Sequence, residues 1–204
     1  MIAIVNYGLG NIAAFTNIYR QLKIDVCVVD SVSELSGVSK LILPGVGAFD
    51  GAMTLLNESG LRDQLDDLVV NQHVPVLGVC VGMQMMAERS EEGRMTGLNW
   101  IAGEVKRFDV SKFSHKTHLP HMGWNDVTPR RKSELFEGLG SGSQFYFLHS
   151  YFLSAAEQNS ILADSDYNGV FASSVHSGNV YGVQFHPEKS HHWGIRLLEN
   201  FAHM

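Results

Sequence analysis

Four short and almost uninterrupted apolar runs, Ile2 to Asn6, Val26 to Val29, Leu41 to Leu43 and Val76 to Val79, constrain this chain more than any other feature. A strand that is apolar at nearly every position has no face to offer water. Runs of this kind separated by helical patterns therefore predict a mostly parallel sheet with helices on both faces. Helical spacing appears over Asn11 to Leu22 and over Leu61 to Asn71, and a third helix is expected just after Cys80. In the second of these, Leu61, Leu65, Leu68 and Val69 fall on one side while Arg62, Asp63, Asp66 and Asp67 stay on the other.

The pattern changes beyond Trp100. Gly103 to Phe108, Gln144 to His149, Ile161 to Ala163, Val170 to Val175 and Val180 to Phe185 read as strands with few helices between them, which predicts antiparallel hairpins. Ser177-Gly178-Asn179 is the expected turn between the last two. Ser190 to Met204 places Trp193, Leu197, Leu198 and Phe201 at helical spacing and predicts a closing helix. The expected fold class is α/β: a mostly parallel central sheet flanked by helices, with antiparallel strands in the C-terminal half. With 204 residues and neither a repeat nor a low-complexity linker, a single domain over 1–204 is expected.

Charge narrows the partners. Fifteen basic against 21 acidic side chains leave a net charge of −6, and the only short basic cluster is Arg130-Arg131-Lys132. A phosphate backbone calls for a basic stripe, so nucleic acid is not an expected partner. Met1 to Tyr7 shows no basic segment followed by a long apolar run, and no apolar stretch is long enough to span a bilayer. The cytoplasm is the expected compartment, with no membrane association, and there Cys27 and Cys80 are expected to stay thiols.

Val76-Leu77-Gly78-Val79-Cys80-Val81-Gly82-Met83-Gln84 is an apolar strand running into Gly-x-Cys-x-Gly and then a helix. This is a thiol version of the strand-to-helix elbow, in which flanking glycines are expected to let the backbone turn sharply and leave the nucleophile exposed. The start of a helix favours a thiolate, and the Val81 N–H is free to face a developing oxyanion. Cys27, in Val26-Cys27-Val28-Val29 without glycines, reads instead as a packing thiol.

Near the other end, Tyr181-Gly182-Val183-Gln184-Phe185-His186-Pro187-Glu188 runs from a strand into a turn. His186 and Glu188 would project to the same side of an extended backbone that Pro187 restrains. Glu188 could then accept the Nδ1 proton of His186 and leave Nε2 facing a thiol, the base-and-orienter relation of a catalytic triad. Two other readings compete. His115, His118 and His121, or His191 with His192, raise a metal site, but none lies beside a Cys or acidic partner at a recognised ligand spacing. Gly8-Leu9-Gly10-Asn11-Ile12-Ala13 matches Gly-x-Gly-x-x-Ala with Asp30 beyond it, as in a dinucleotide-binding oxidoreductase. The same glycines could simply lead into a helix capped by Asn11, and hydride transfer needs neither the Cys80 elbow nor the His186/Glu188 pair.

Gly78-Val79-Cys80-Val81-Gly82-Met83-Gln84 with His186-Pro187-Glu188 resembles the class I glutamine amidotransferases, a flavodoxin-like family with a Cys, His and Glu triad in this chain order. Asn6-Tyr7-Gly8-Leu9-Gly10-Asn11, Pro44-Gly45-Val46-Gly47, Pro120-His121-Met122-Gly123-Trp124-Asn125 and His149-Ser150-Tyr151 resemble the glutaminase subunits of imidazole glycerol phosphate synthases within it. The resemblance covers nearly the whole chain. It departs at Asn6, where the family usually has Asp.

The resemblance implies Cys80, His186 and Glu188 as catalytic, the Val46 and Val81 N–H groups as oxyanion donors, and Gly45, Gly47, Gln84, Ser150 and Tyr151 as glutamine contacts. It further implies an interface at Pro120, Trp124, Tyr146 and Lys189 for a (β/α)8-barrel cyclase subunit in a heterodimer, no cofactor, and ammonia passed to that partner. A glutaminase serving another acceptor, as in chorismate or pyridoxal phosphate chemistry, is the alternative, which Pro120 to Asn125 disfavours.

Overall fold

The computed structural model describes residues 1–113 and 118–204. In the first half, β1 (Ile2–Val5), β2 (Val26–Val29), β3 (Lys40–Gly45) and β4 (Val76–Cys80) alternate with α1 (Ile12–Gln21), α2 (Phe49–Glu58), α3 (Arg62–Asp66) and α4 (Val81–Met85). Every residue of β1 and β4 is buried, as continuous apolar runs require. The second half holds β5 (Arg89–Ser90), β6 (Gly103–Arg107), β7 (His121–Pro129), β8 (Ser143–His149), β9 (Tyr151–Ala155), β10 (Ile161–Asp166), β11 (Val170–Ser177), β12 (Val180–Val183) and α5 (His191–His203).

Nine strands form one sheet in the order β2-β1-β3-β4-β12-β11-β10-β7-β8, and β5-β6-β9 form a smaller one. From β2 to β4 all pairings are parallel; from β12 to β8 they are antiparallel. β12 is the seam. It pairs antiparallel with β11 through a tight turn at Gly178, whose φ is +60°, and parallel with β4 from Val180↔Val76 to Val183↔Val79. Parallel neighbours end on the same edge, so the residues leaving β3, β4 and β12 come out side by side.

Several elements differ from the sequence expectation, each for a physical reason. The predicted helix over Leu61 to Asn71 is α3 followed by a π-helical turn, Asp67–Asn71, and it buries the expected Leu61, Leu65, Leu68 and Val69. Helix α2 has no local capping signal: its first turn is capped from afar, the Phe49 N–H donating to Glu92 Oε2 at 2.9 Å. β7 escapes a period-two reading because its partly buried Gly123 and Asn125 alternate with exposed Met122 and Trp124. The last helix runs as expected and buries Leu197, Leu198 and Phe201, with Trp193 only half-buried. Arg130 of the basic cluster pairs with Asp164. No helix of the described residues is long and apolar enough to cross a membrane.

Candidate active site

Cys80 ends β4 and precedes α4 with φ +55° and ψ −113°, a conformation that L residues rarely adopt. Holding a non-glycine residue there costs on the order of 1–3 kcal/mol, which the surrounding packing must supply. The flanking glycines do not make this turn, and the sequence expectation is corrected here: the positive φ belongs to the cysteine, whereas Gly78 and Gly82 keep ordinary φ. They are glycines because backbone passes where a Cβ would sit. A Cβ on Gly82 would lie 2.0 Å from the Leu43 carbonyl oxygen, and one on Gly45 would lie 2.3 Å from the Gly82 nitrogen. The end of β3 is thereby pressed against the start of α4.

This contact brings the two expected oxyanion donors into one neighbourhood. Val81 is the first residue of α4, so its N–H has no acceptor inside the helix. The Val46 N–H has no hydrogen-bond partner among the described residues, and Gly47 beside it has φ +87°. Behind them the buried Tyr7 hydroxyl donates to the Pro44 carbonyl at 2.7 Å and braces the end of β3.

The expected base comes from the other half of the sheet. His186 lies just past β12, its backbone N–H donating to the Tyr146 carbonyl at 2.8 Å. Its Nδ1 is 2.9 Å from Glu188 Oε1, with the two side chains only 3% and 2% exposed. The pairing does not come from an extended backbone. Pro187–Lys189 is a 3₁₀ turn, which swings Glu188 back onto the imidazole instead of leaving the two on a common strand face.

A carboxylate can only accept, so Nδ1 carries a proton and Nε2 is left for Cys80. Burial alone would push the His186 pKa down; hydrogen bonds to Cys80 and Glu188, together with their charges, reverse this and raise it to about 10. At neutral pH the imidazole is therefore the cation beside the sulfur.

Cys80 and His186 line a cavity of about 310 Å³ whose wall also includes Val46, Gly47, Val81, Gln84, Ser150 and Tyr151, while Glu188 is not on that wall. Cys80 itself is only 3% exposed, so the elbow presents its sulfur to a pocket rather than leaving it in the open as the sequence predicts. Of the expected glutamine contacts only Gly45 is not on this wall; it lies behind, packed on Gly82. Pro120 and Lys189 line the same cavity. Trp124 and Tyr146 face each other across β7 and β8, with Trp124 46% exposed and stacked on His191 at 5.2 Å. Lys189 Nζ lies 5.8 Å from the centre of the Tyr146 ring, so the Trp124–Tyr146 pair, which is not on the cavity wall, adjoins it through Lys189. A larger cavity of about 830 Å³, walled by Thr128 to Ser141, holds none of the predicted site residues. Chemistry rather than size picks the site.

The family model described as glutamine amidotransferase class-I matches residues 3–204. The chain belongs to this class-I glutamine amidotransferase family. It is 53% identical to imidazole glycerol phosphate synthase subunit HisH of Bdellovibrio bacteriovorus over 99% of both chains. It is 48% identical to the protein of the same name from Leptospira interrogans, again over 99% of both. A crystal structure of a glutamine amidotransferase, 20% identical, covers 100% of this chain and 99% of its own with a TM-score of 0.76, a likeness of fold.

In this amidotransferase the dinucleotide-like signature is used for packing and capping. Asn11 Oδ1 accepts the Ala14 N–H at the start of α1, a Cβ on Gly10 would meet Pro44 at 2.6 Å, and Asp30 Oδ1 accepts from Asn6 Nδ2 at 2.5 Å. An aspartate at position 6 would set two carboxylates against each other, so Asn6 suits Asp30. Among the candidate metal ligands, His121 is hydrogen-bonded to His149, His118 offers its carbonyl to Tyr167, His191 stacks on Trp124, and His115 lies outside the described residues.

Sequence reasoning missed four residues of the amidotransferase site. Leu148 contributes its carbonyl 3.9 Å from Cys80 Sγ, and His149 and Glu92 line the cavity. Gln184 puts Nε2 3.8 Å from Sγ. A signal existed for the last, since Gln184, His186 and Glu188 are spaced two apart. Glu92 carried none, because its position depends on capping α2.

Proposed function

We propose that this amidotransferase is the glutaminase subunit of an imidazole glycerol phosphate synthase, supplying ammonia in histidine biosynthesis. The observation that carries the reading is the convergence, on one edge of the sheet, of a cysteine on a strained elbow with a buried His186/Glu188 pair. The whole of 1–204 acts as one domain in this reading, and the cytoplasm is its compartment.

The Cys80 thiolate attacks the side-chain amide carbon of glutamine, and the Val46 and Val81 N–H groups receive the oxygen that becomes negative. His186, held as the cation, gives its Nε2 proton to the departing nitrogen, and ammonia leaves as the thioester forms. Now neutral, His186 takes a proton from water, which attacks the thioester; the C–S bond breaks, glutamate is released and the ion pair returns. Gln84 with the backbone at Ser150 and Tyr151 grips the amino-acid end of the substrate, and Gly45 and Gly47 let the Val46 peptide take up its orientation.

Ammonia escaping into neutral water would be protonated and lost as a nucleophile, so the cavity must open into a partner rather than solvent. Met122 and Leu148, 65% and 40% exposed, extend the Trp124–Tyr146 pair into an apolar face beside the rim, as a docking surface requires. The partner is a (β/α)8-barrel cyclase in a heterodimer, which joins the ammonia to a phosphorylated ribulosyl-formimino carboxamide nucleotide. Imidazole glycerol phosphate and an aminoimidazole carboxamide ribotide are its products. The decisive experiment mixes the chain with such a cyclase and follows glutamate release with and without the acceptor nucleotide. Acceptor-stimulated release is expected; a flat response sinks the assignment.

A further inference from the structure

Gln184 is fully buried, and its side chain sits between Gln84 and Cys80. Which end of the amide faces the sulfur follows from a carbonyl. The Tyr151 backbone oxygen can only accept, so the atom of Gln84 lying 2.9 Å from it is the amide nitrogen Nε2. The same nitrogen is 3.0 Å from Gln184, which must therefore present Oε1 to Gln84. This turns the Gln184 NH₂ toward Cys80 Sγ at 3.8 Å, within reach of sulfur's large radius, and among the described residues it has no other acceptor.

The carbonyl that starts this chain is itself held from behind. His149 Nδ1 donates to Tyr151 O at 2.8 Å, His149 Nε2 accepts from His121 Nδ1 at 2.9 Å, and Asn125 Nδ2 lies 3.2 Å from His121 Nε2. Every donor in this buried series finds an acceptor only when both histidines are neutral.

A buried amide NH₂ without an acceptor costs about 1–3 kcal/mol, and an apolar side chain would fill the space without that cost. We propose that Gln184 is a further catalytic residue of this enzyme: its amide N–H steadies the Cys80 thiolate, with Gln84 and the His121–His149 pair as positioning residues that aim it. A hydrogen bond to a charged sulfur strengthens as the charge develops, so Gln184 favours the thiolate over the thiol before glutamine binds. The proposal rests on Cys80 being the nucleophile.

The test follows alkylation of Cys80 by iodoacetamide against pH in the full chain, with Cys80→Ala as the control that isolates labelling at Cys27. Gln184→Met removes donor and acceptor together. Gln184→Glu keeps the acceptor for Gln84 and removes the donor. Tyr7, Glu92, His149, Tyr151, His186, Glu188 and Lys189, the titratable groups around the thiol and cavity, are retained in both variants.

The expected result is a rise in the alkylation midpoint of about one pH unit for Gln184→Met, equivalent to about tenfold slower labelling at neutral pH, and a larger rise for Gln184→Glu. The kcat for glutamine falls in step while KM stays unchanged, a split that loss of packing alone would not give. Either variant, folded by its melting curve and alkylating at the wild-type midpoint, overturns the proposal; should Gln184→Met not fold, Gln184→Glu decides alone. Because alkylation needs neither glutamine nor a partner, equal labelling of the Cys80→Ala control would instead discredit the nucleophile assignment itself.

Discussion

Around Cys80 the contacts that fix the site are steric: Gly45, Gly78 and Gly82 let backbones touch, and a Cβ at Gly82 would lie 2.0 Å from a carbonyl oxygen. Around His186 they are polar: Glu188 on Nδ1, the Tyr146 carbonyl on the backbone N–H, and Ser190 Oγ donating to the His186 carbonyl at 2.5 Å. The parallel half grips Cys80 by shape, and the antiparallel half tunes His186 by hydrogen bonds and charge. Shape fails abruptly when one methyl is added. Polar networks fail by degrees, and with pH.

The largest effect belongs to the atoms themselves. Cys80→Ala should lower kcat for partner-stimulated glutamate release by about 10⁴-fold or more, and His186→Ala by a similar factor, because members of one catalytic unit are not additive. Next, Glu188→Gln keeps the volume but removes the charge that helps raise His186 to about 10. A loss of about 10³-fold in kcat and a fall of the His186 pKa, followed by NMR of the imidazole, are expected. Wild-type activity in this variant would remove the polar half of the contrast.

Gly82→Ala probes the steric half. Overpacking of about 3 kcal/mol should lower the melting temperature by on the order of 10 °C, whereas Ser190→Ala, which deletes hydrogen bonds without adding bulk, should cost less than half of that. If the serine variant melted lower than the alanine at position 82, the comparison would be reversed.

The histidines of the polar half sharpen it with opposite signs. Burial lowers His149 to about 3 and His121 to about 4. Their contribution is therefore present above the ordinary value near 6.5 and is lost as pH falls through about 4 to 3. His186, raised to about 10, contributes fully below 6.5 and loses that contribution as pH rises through 10. Melting curves against pH should show both flanks. His149→Gln should flatten the acid flank by about 5 °C and leave the alkaline one unmoved. The smallest effect is at the rim: Trp124→Ala should weaken cyclase binding about tenfold in Kd, read by calorimetry, with little change in melting temperature.

The sequence exposed the steric half more readily than the polar one. The apolar runs that become β1, β3 and β4 declare burial on both faces, whereas the equally apolar β2 lies at the sheet edge and buries only Val29 fully. Gly-x-Cys-x-Gly marks the elbow even though its glycines serve close approach rather than the turn. His186 and Glu188 were legible as a pair, but the 3₁₀ turn that joins them was not, because Pro187 is compatible with either an extended or a turning backbone. Gln184, His121 and His149 stayed hidden for a different reason. Buried polar residues acquire meaning only from partners brought in by the fold, and Gln84 lies 100 positions from Gln184.

The seam at β12 also dates the site. Gln184 and Cys80 are 104 positions apart in sequence and meet only because β12 docks beside β4. A chain emerging from the ribosome completes the parallel strands β1 to β4 well before the β11–β12 hairpin exists, and until that hairpin docks the thiol has neither base nor amide beside it. The pairing of thiol, imidazole and amide is thus a late product of synthesis, formed only once the C-terminal strands have joined the parallel ones.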